Sequence, residues 1–172
     1  MAYLIKTGIL IYLRLLTLWR KYAILLLGEH MLNYSIKECI IMKTLKPYER
    51  NVYYYETDKM GVVHHSNYIR IFDETRVDYL RQAEIPFDKI EELGILLHTL
   101  SIHCEFKRPL VFDEPFAVYM TMTKFNGTSL ELDYRIVSRR SGETNVTGHS
   151  GHCFTYMNMK PIRMKNKFPD LY

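Results

Sequence analysis

From Pro47 onward the apolar positions fall into regular segments. Glu49–Thr57 is rich in Tyr and Val and predicts a strand. Asp58–His64 carries one glycine and predicts a loop. Over His65–Ala83 the period changes. Tyr68, Ile71, Phe72, Thr75, Tyr79 and Leu80 recur at helical spacing, with Arg70, Asp73, Glu74, Arg76 and Asp78 on the remaining face, which predicts an amphipathic helix. It stops before Pro86, and Phe87–Leu93 predicts a further turn of helix. Ile95–Phe106, Glu114–Lys124, Ser129–Arg139 and Thr144–Tyr156 predict strands, with turn signals at Asn126-Gly127-Thr128 and Arg140-Ser141-Gly142-Glu143. Strands joined by short turns pair antiparallel. One long early helix and about five strands predict an α+β domain, the helix burying its apolar face on the concave side of a twisted sheet.

Residues 1–41 break this pattern. Gly8–Trp19 and Tyr22–Gly28 are apolar runs interrupted by Arg14 and by Arg20-Lys21. A spanning helix needs about 20 mostly apolar residues, and each cation near its centre costs ~2.5–3.5 kcal/mol. A clean span is not expected, and Leu25-Leu26-Leu27-Gly28-Glu29-His30 is a poor cleavage site for a signal peptide. Residues 1–41 are read as an upstream N-terminal extension or a start-site artefact, with Met42 opening the working domain over 42–172. Membrane contact through a basic amphipathic segment is the less favoured alternative.

Composition narrows the classes further. The 172 residues are 48% hydrophobic and 24% charged, which suits one domain and excludes wholesale disorder. The net charge of +4 is uneven: residues 1–41 carry +3 and residues 42–172 only +1. No basic stripe interleaved with aromatics appears, so a nucleic-acid partner is not expected. The three cysteines, Cys39, Cys104 and Cys153, are widely spaced without a CxxC. Neither a disulfide framework nor a structural zinc site is expected, and a reducing cytoplasm is the natural setting.

The informative stretch runs from Tyr54 to Tyr68. A carboxylate, Asp58, ends a strand, and a loop containing Gly61 leads into a helix starting near His65. The first N–H groups of a helix lack internal partners and, with the helix dipole, suit an anion or a developing oxyanion. A carboxylate folded back over that terminus would supply a base or nucleophile for acyl transfer. The same spacing also fits a capping Asp, and packing or surface roles for His64 and His65. His64 and His65 with His149 or His152 lack the spacing of a metal site. Cys153 beside His152 is a weak nucleophile candidate, because neighbours on a strand face opposite ways.

The run Asp58-x-x-Gly61-x-Val63-His64-His65-x-Asn67-Tyr68, with the helix after it, closely resembles the signature of the hotdog-fold 4-hydroxybenzoyl-CoA thioesterase family, above all its YbgC-like acyl-CoA thioester hydrolases. Tyr54-Tyr55-Glu56-Thr57 and Gly127-Thr128-Ser129-Leu130 add support, and the resemblance covers roughly residues 48–163. It implies a sheet wrapped around a long central helix, and homodimers or homotetramers with active sites at the dimer interface. It places the catalytic carboxylate, as nucleophile or general base, on Asp58 and the carbonyl-polarising N–H on His65. A tyrosine and a histidine near the aspartate in this branch match Tyr54 and His65. Position 64, often aromatic there, is His64 here. Gly61, Val63, His64 and Asn67 are carried over as lining or shaping the substrate site. Glu74 is read as helix surface or interface.

The resemblance implies no metal or redox cofactor; coenzyme A is part of the substrate. Its phosphates need cations, and Lys107, Arg108, Arg163 and Lys165 are the leading candidates, with Arg139, Arg140, Lys160 and Lys167 behind them. The expected reaction releases a free acid and CoA. The alternatives are acyl thioesters on acyl-carrier protein, a hotdog hydratase or dehydratase using His65 and Glu74, and a non-catalytic acyl-thioester-binding module.

Overall fold

A computed structural model describes residues 45–167. The expected extension over 1–41 and Cys39 lie outside the described residues. The elements run β1 (Tyr48–Asn51), a 3-10 turn (Tyr54–Glu56), α1 (His65–Gln82), α2 (Phe87–Glu92), β2 (Ile95–Phe106), β3 (Pro115–Phe125), β4 (Ser129–Ser138), β5 (Thr144–Tyr156) and α3 (Met164–Lys167).

The first strand is a correction to the expected Glu49–Thr57. It ends at Asn51, and the three residues Tyr54–Glu56 coil into the 3-10 turn. The cause is a buried charge. Glu56 is fully buried, accepts from its own turn's Tyr53 N–H at 2.8 Å, and is gripped by both terminal nitrogens of Arg50 at 2.8 and 2.6 Å. An extended chain would point Glu56 away from Arg50's reach. The tyrosines suited a strand by propensity, and tertiary pairing overrode it.

The five strands form one antiparallel sheet in the order β1-β3-β4-β5-β2. A bulge between Thr99 and Ser101 leaves Leu100 without a partner on β5. The helix lies on the face presented by alternate residues of the central strands. Tyr68, Ile71, Phe72, Thr75 and Tyr79 are its buried residues, as the periodicity predicts. Phe72 stacks on Tyr134 of β4 with ring centroids 4.3 Å apart. Gly148 of β5 lies directly under the same ring, and any Cβ there would overlap Phe72. A sheet residue without a side chain lets the helix approach closely. Tyr68 and Tyr79 anchor the two ends of this seat, their hydroxyls accepting from Leu110 N–H (3.3 Å) and Met120 N–H (3.2 Å). A buried phenylalanine of this kind typically contributes ~3–5 kcal/mol against alanine.

Lys107–Val111 follow β2 at one end of the sheet, where Lys107 and Arg108 N–H groups both donate to Asn145 C=O. The β3–β4 hairpin around Gly127 lies at the other end, and the tail after β5 folds onto it through Met164 N–H to Gly127 C=O at 2.7 Å.

Candidate active site

The loop after the 3-10 turn is closed by short-range bonds. Thr57 and Val63 form an antiparallel bridge. Within it Asp58 N–H donates to Val62 C=O, and Gly61 N–H to Asp58 C=O, both at 2.9 Å. Gly61 has φ +77°, a conformation that favours glycine. Val63 is buried, and its N–H donates to Leu110 C=O at 2.9 Å. Asp58 Oδ1 accepts from Met60 N–H at 2.7 Å. Asp58 therefore serves as a turn residue through one oxygen, not as the cap of the helix. Oδ2 has no hydrogen-bond partner among the described residues.

The helix start is built from Glu56 and His64. Glu56 C=O accepts from His64 N–H at 2.9 Å and from Asn67 Nδ2 at 2.7 Å, clamping the two ends of the loop together. His64 is the N-cap: its Nδ1 accepts from Ser66 N–H at 3.4 Å and lies 2.8 Å from Ser66 Oγ. His64 C=O takes Asn67 N–H at 2.9 Å. Of the first three amides of α1, the second and third are thus occupied. His65 N–H has no acceptor among the described residues. The ring centroids of His64 and His65 lie 4.0 Å apart at this end of the helix.

The structure brings Tyr54, Asp58, Gly61, Val63, His64, His65 and Asn67 into one region, with different exposures. Tyr54 is 77% exposed and meets the Phe112 ring edge-on at 5.6 Å. Val63 packs inward, and Asn67 works as a clamp through its amide. Lys107 and Arg108 lie at this end of the sheet, in exposed pairs with Glu105 (3.8 Å) and Glu143 (2.9 Å). Such pairs contribute little and exchange readily. Arg163 is exposed and belongs to the tail at the opposite end of the same sheet; the side chains of Lys165 and Lys167 lie outside the described residues.

Sequence reasoning missed what holds this region. Arg50 is enclosed, with Cζ 4.5 Å from the Tyr53 ring centroid and 5.1 Å from that of Phe116. Its Nε donates to Glu74 Oε2 at 2.9 Å, which also accepts from Tyr48 Oη at 3.0 Å. Burial and the Glu74 charge push the Tyr48 phenol up to about 12. Glu74 therefore faces β1 of its own chain instead of standing free on the helix surface. The available signal was two charges, Arg50 and Glu56, inside a segment otherwise suited to a strand.

Residues 52–170 match the family model of the thioesterase-like superfamily. YneP of Bacillus subtilis is 30% identical over 123 residues, covering 71% of this chain and 88% of that protein. The acyl-CoA thioester hydrolase YbgC of Escherichia coli is 27% identical over 120 residues, covering 69% of this chain and 88% of that protein. Among solved structures, the DHNA-CoA thioesterase of Staphylococcus aureus superposes with a TM-score of 0.70 at 28% identity, covering 73% of this chain and 85% of that one. The sheet wrapped on one long helix, the Asp58 loop and these matches lead to one conclusion: the chain belongs to the thioesterase-like superfamily, as a YbgC-like thioester hydrolase with the hotdog fold.

Proposed function

We propose that the protein hydrolyses acyl-CoA thioesters, with Asp58 as the reacting carboxylate and His65 N–H as the donor to the thioester oxygen. What supports this reading is a carboxylate oxygen on Asp58 and the His65 N–H at the start of α1, both without a partner among the described residues, at the two ends of a loop clamped by Glu56. The helix dipole adds positive potential where charge develops on the oxygen. Asp58 acts in one of two ways. As a nucleophile it attacks the carbonyl carbon and expels the CoA thiolate, and water then cleaves the mixed anhydride. As a base it takes a proton from water, whose oxygen attacks. Either route yields free acid and CoA and draws on no metal or redox cofactor.

Tyr54 and the His65 ring border the reacting group, His64 caps the helix and Asn67 fixes its first turn. Lys107 and Arg108 face the CoA phosphates. The outer edge of β2 joins a second copy, giving a homodimer or homotetramer. Arg163 and Lys165, remote from Asp58 along the sheet, serve a CoA held across such an interface. The protein acts in the cytoplasm, and acyl-carrier protein is the alternative acyl carrier. The test is free-thiol release from a panel of acyl-CoAs by wild type and Asp58→Asn. Turnover that collapses in the mutant is the expected result. No thiol from any acyl-CoA would overturn the CoA reading, and undiminished turnover in the mutant would overturn Asp58.

A further inference from the structure

The flank of α1 facing away from β1 carries a second buried guanidinium. Arg76 stands one turn beyond Phe72 on the same helix. Its side chain is 11% exposed, its Nη2 pairs with Asp73 Oδ1 at 2.9 Å, and the Phe87 ring centroid lies 5.9 Å from its Cζ. Its Nε and Nη1 are buried with no hydrogen-bond partner among the described residues. The sheet beside it is unusually polar for a core. Ser150 Oγ donates to Tyr134 Oη at 3.1 Å and lies 2.6 Å from His152 Nε2, and His152 Nδ1 lies 3.4 Å from Thr99 Oγ1. Because the Ser150 proton goes to Tyr134, the short contact with His152 requires a proton on Nε2, which leaves Nδ1 to accept from Thr99. The protons thus run Thr99 to His152 to Ser150 to Tyr134. The Tyr134 O–H stands at the end of the chain as a donor without an acceptor among the described residues.

The ring charges are consistent with that assignment. Burial, helped by the Arg76 charge, brings His152 down to about 4, so the ring is neutral at pH 7. Burial raises the Tyr134 phenol, which stays protonated. Arg76 Nε, Arg76 Nη1 and the Tyr134 O–H therefore meet no acceptor among the described residues, while the Tyr134 oxygen takes the Ser150 and Arg76 donors. A buried cation left this way is unfavourable unless something pairs with it. Alongside, on the helix, Ile69 and Val77 are 39% and 37% exposed, so the flank is approachable from the helix side.

We infer that this donor cluster recognises the far end of the acyl group, and that the acyl group ends in a carboxylate. The inference deepens the proposed acyl-CoA hydrolysis and rests on it. A guanidinium fork matches a carboxylate in geometry and charge, whereas an alkyl end would leave it unpaired. His65 and Arg76 are eleven residues apart, ~16 Å along the helix axis. Helical side chains lean back toward the N-terminus, which shortens that gap to the span of a chain-like acyl group.

The test compares thiol release from acyl-CoAs matched in chain length, alkyl against ω-carboxyl, with a hydroxybenzoyl-CoA included. Wild type is expected to favour the ω-carboxyl member at one chain length or more. In Arg76→Met the ω-carboxyl to alkyl ratio of kcat/KM should fall ~10–100-fold, the range of a charged hydrogen bond. Calorimetric titration of wild type with the free dicarboxylates should show binding that Arg76→Gln loses. Alkyl preference at every length, an unchanged ratio, or preference for hydroxybenzoyl would overturn the assignment. So would a change of oligomeric state in the Arg76 variants, because Arg76 would then pair with a second copy. If no acyl-CoA releases thiol, the hydrolase reading fails separately, and dicarboxylate binding alone upholds or overturns the cluster.

Discussion

Arg50 and Arg76 are the same residue type, on opposite flanks of one helix, with side chains 9% and 11% exposed. Their surroundings differ completely. Arg50 donates through Nε to Glu74, through Nη1 and Nη2 to Glu56, and through Nη1 again to Asn51 C=O, between two aromatic rings. Arg76 pairs with a half-exposed Asp73 and lies against the Tyr134 hydroxyl, but its Nε and Nη1 have no partner among the described residues. The first is a saturated network that ties β1, the 3-10 turn and α1 together. The second is a charge withdrawn from water without full compensation. Burial alone therefore does not separate a structural charge from a binding one; the count of satisfied donors does. The two carboxylates at the loop follow the same rule. Glu56 has both oxygens occupied, and Asp58 has one free.

The largest expected effect tests that contrast. Arg50→Met strands the fully buried Glu56 and should lower unfolding stability by ~3–5 kcal/mol in urea. Arg76→Met, without ligand, removes an uncompensated charge and should cost little or stabilise. Equal losses in the two variants would erase the distinction. Next in size is Asp58→Asn, which should cut kcat for acyl-CoA hydrolysis by ~100–1,000-fold while the urea midpoint stays at the wild-type value. A matching loss of stability would mean that the turn bond from Met60 matters more than the free oxygen.

The sequence made some of this legible and hid the rest for physical reasons. Local signals sufficed where local periodicity decides the outcome. The buried face of α1, the turns at Asn126-Gly127-Thr128 and Arg140–Glu143, and the bounds of β2 and β5 all follow from spacing. The Asp58 loop was visible because the bonds that turn it, Thr57 with Val63 and Asp58 with Gly61 and Val62, are local, although Val63 also reaches Leu110. The charged face of α1 was not. Glu74 and Arg76 read as solvent-facing by periodicity, yet one is claimed by Arg50 of β1 and the other is buried beside Tyr134 of β4. Such partners lie far away in sequence, and nothing in a helical repeat marks them. His152 was likewise weighed only as a metal ligand or a neighbour of Cys153, although its position on the helix-facing side of β5 makes it a core residue at 1% exposure.

His152 gives the Arg76 flank a pH dependence. Its folded pKa, about 4, lies below its ordinary 6.5. Between those values the unfolded chain binds more protons than the folded one. Stability is therefore fully present above ~6.5, falls as pH drops through the window, and has no further His152 contribution below ~4. The integrated contribution is roughly 3 kcal/mol at one pKa unit per 1.4 kcal/mol. Urea midpoints taken from pH 7.5 to 4 should decline more steeply in wild type than in His152→Gln. Parallel slopes would show that His152 titrates on the surface, and the proton chain to Tyr134 would go with it.

The smallest effect expected bears on whether the two flanks can be separated. Alanine at Gly148 would place a methyl group inside the Phe72 ring. That ring is 1% exposed and stacked on Tyr134 with planes 16° apart, so it has nowhere to swing, and α1 must lift instead. Overpacking of this kind costs ~1–3 kcal/mol. The start of α1 is held independently, by Glu56 C=O on His64 and Asn67 and by Tyr68 on Leu110. Arg76, one turn past Phe72, has its ion pair with Asp73 of its own helix and moves with the lift. Gly148→Ala should therefore depress discrimination for an ω-carboxyl acyl group more than it depresses alkyl turnover. A proportional fall in both would mean that the seat under Phe72 sets the geometry of Asp58 and His65 as well, and that the Arg50 network does not hold the reacting end on its own.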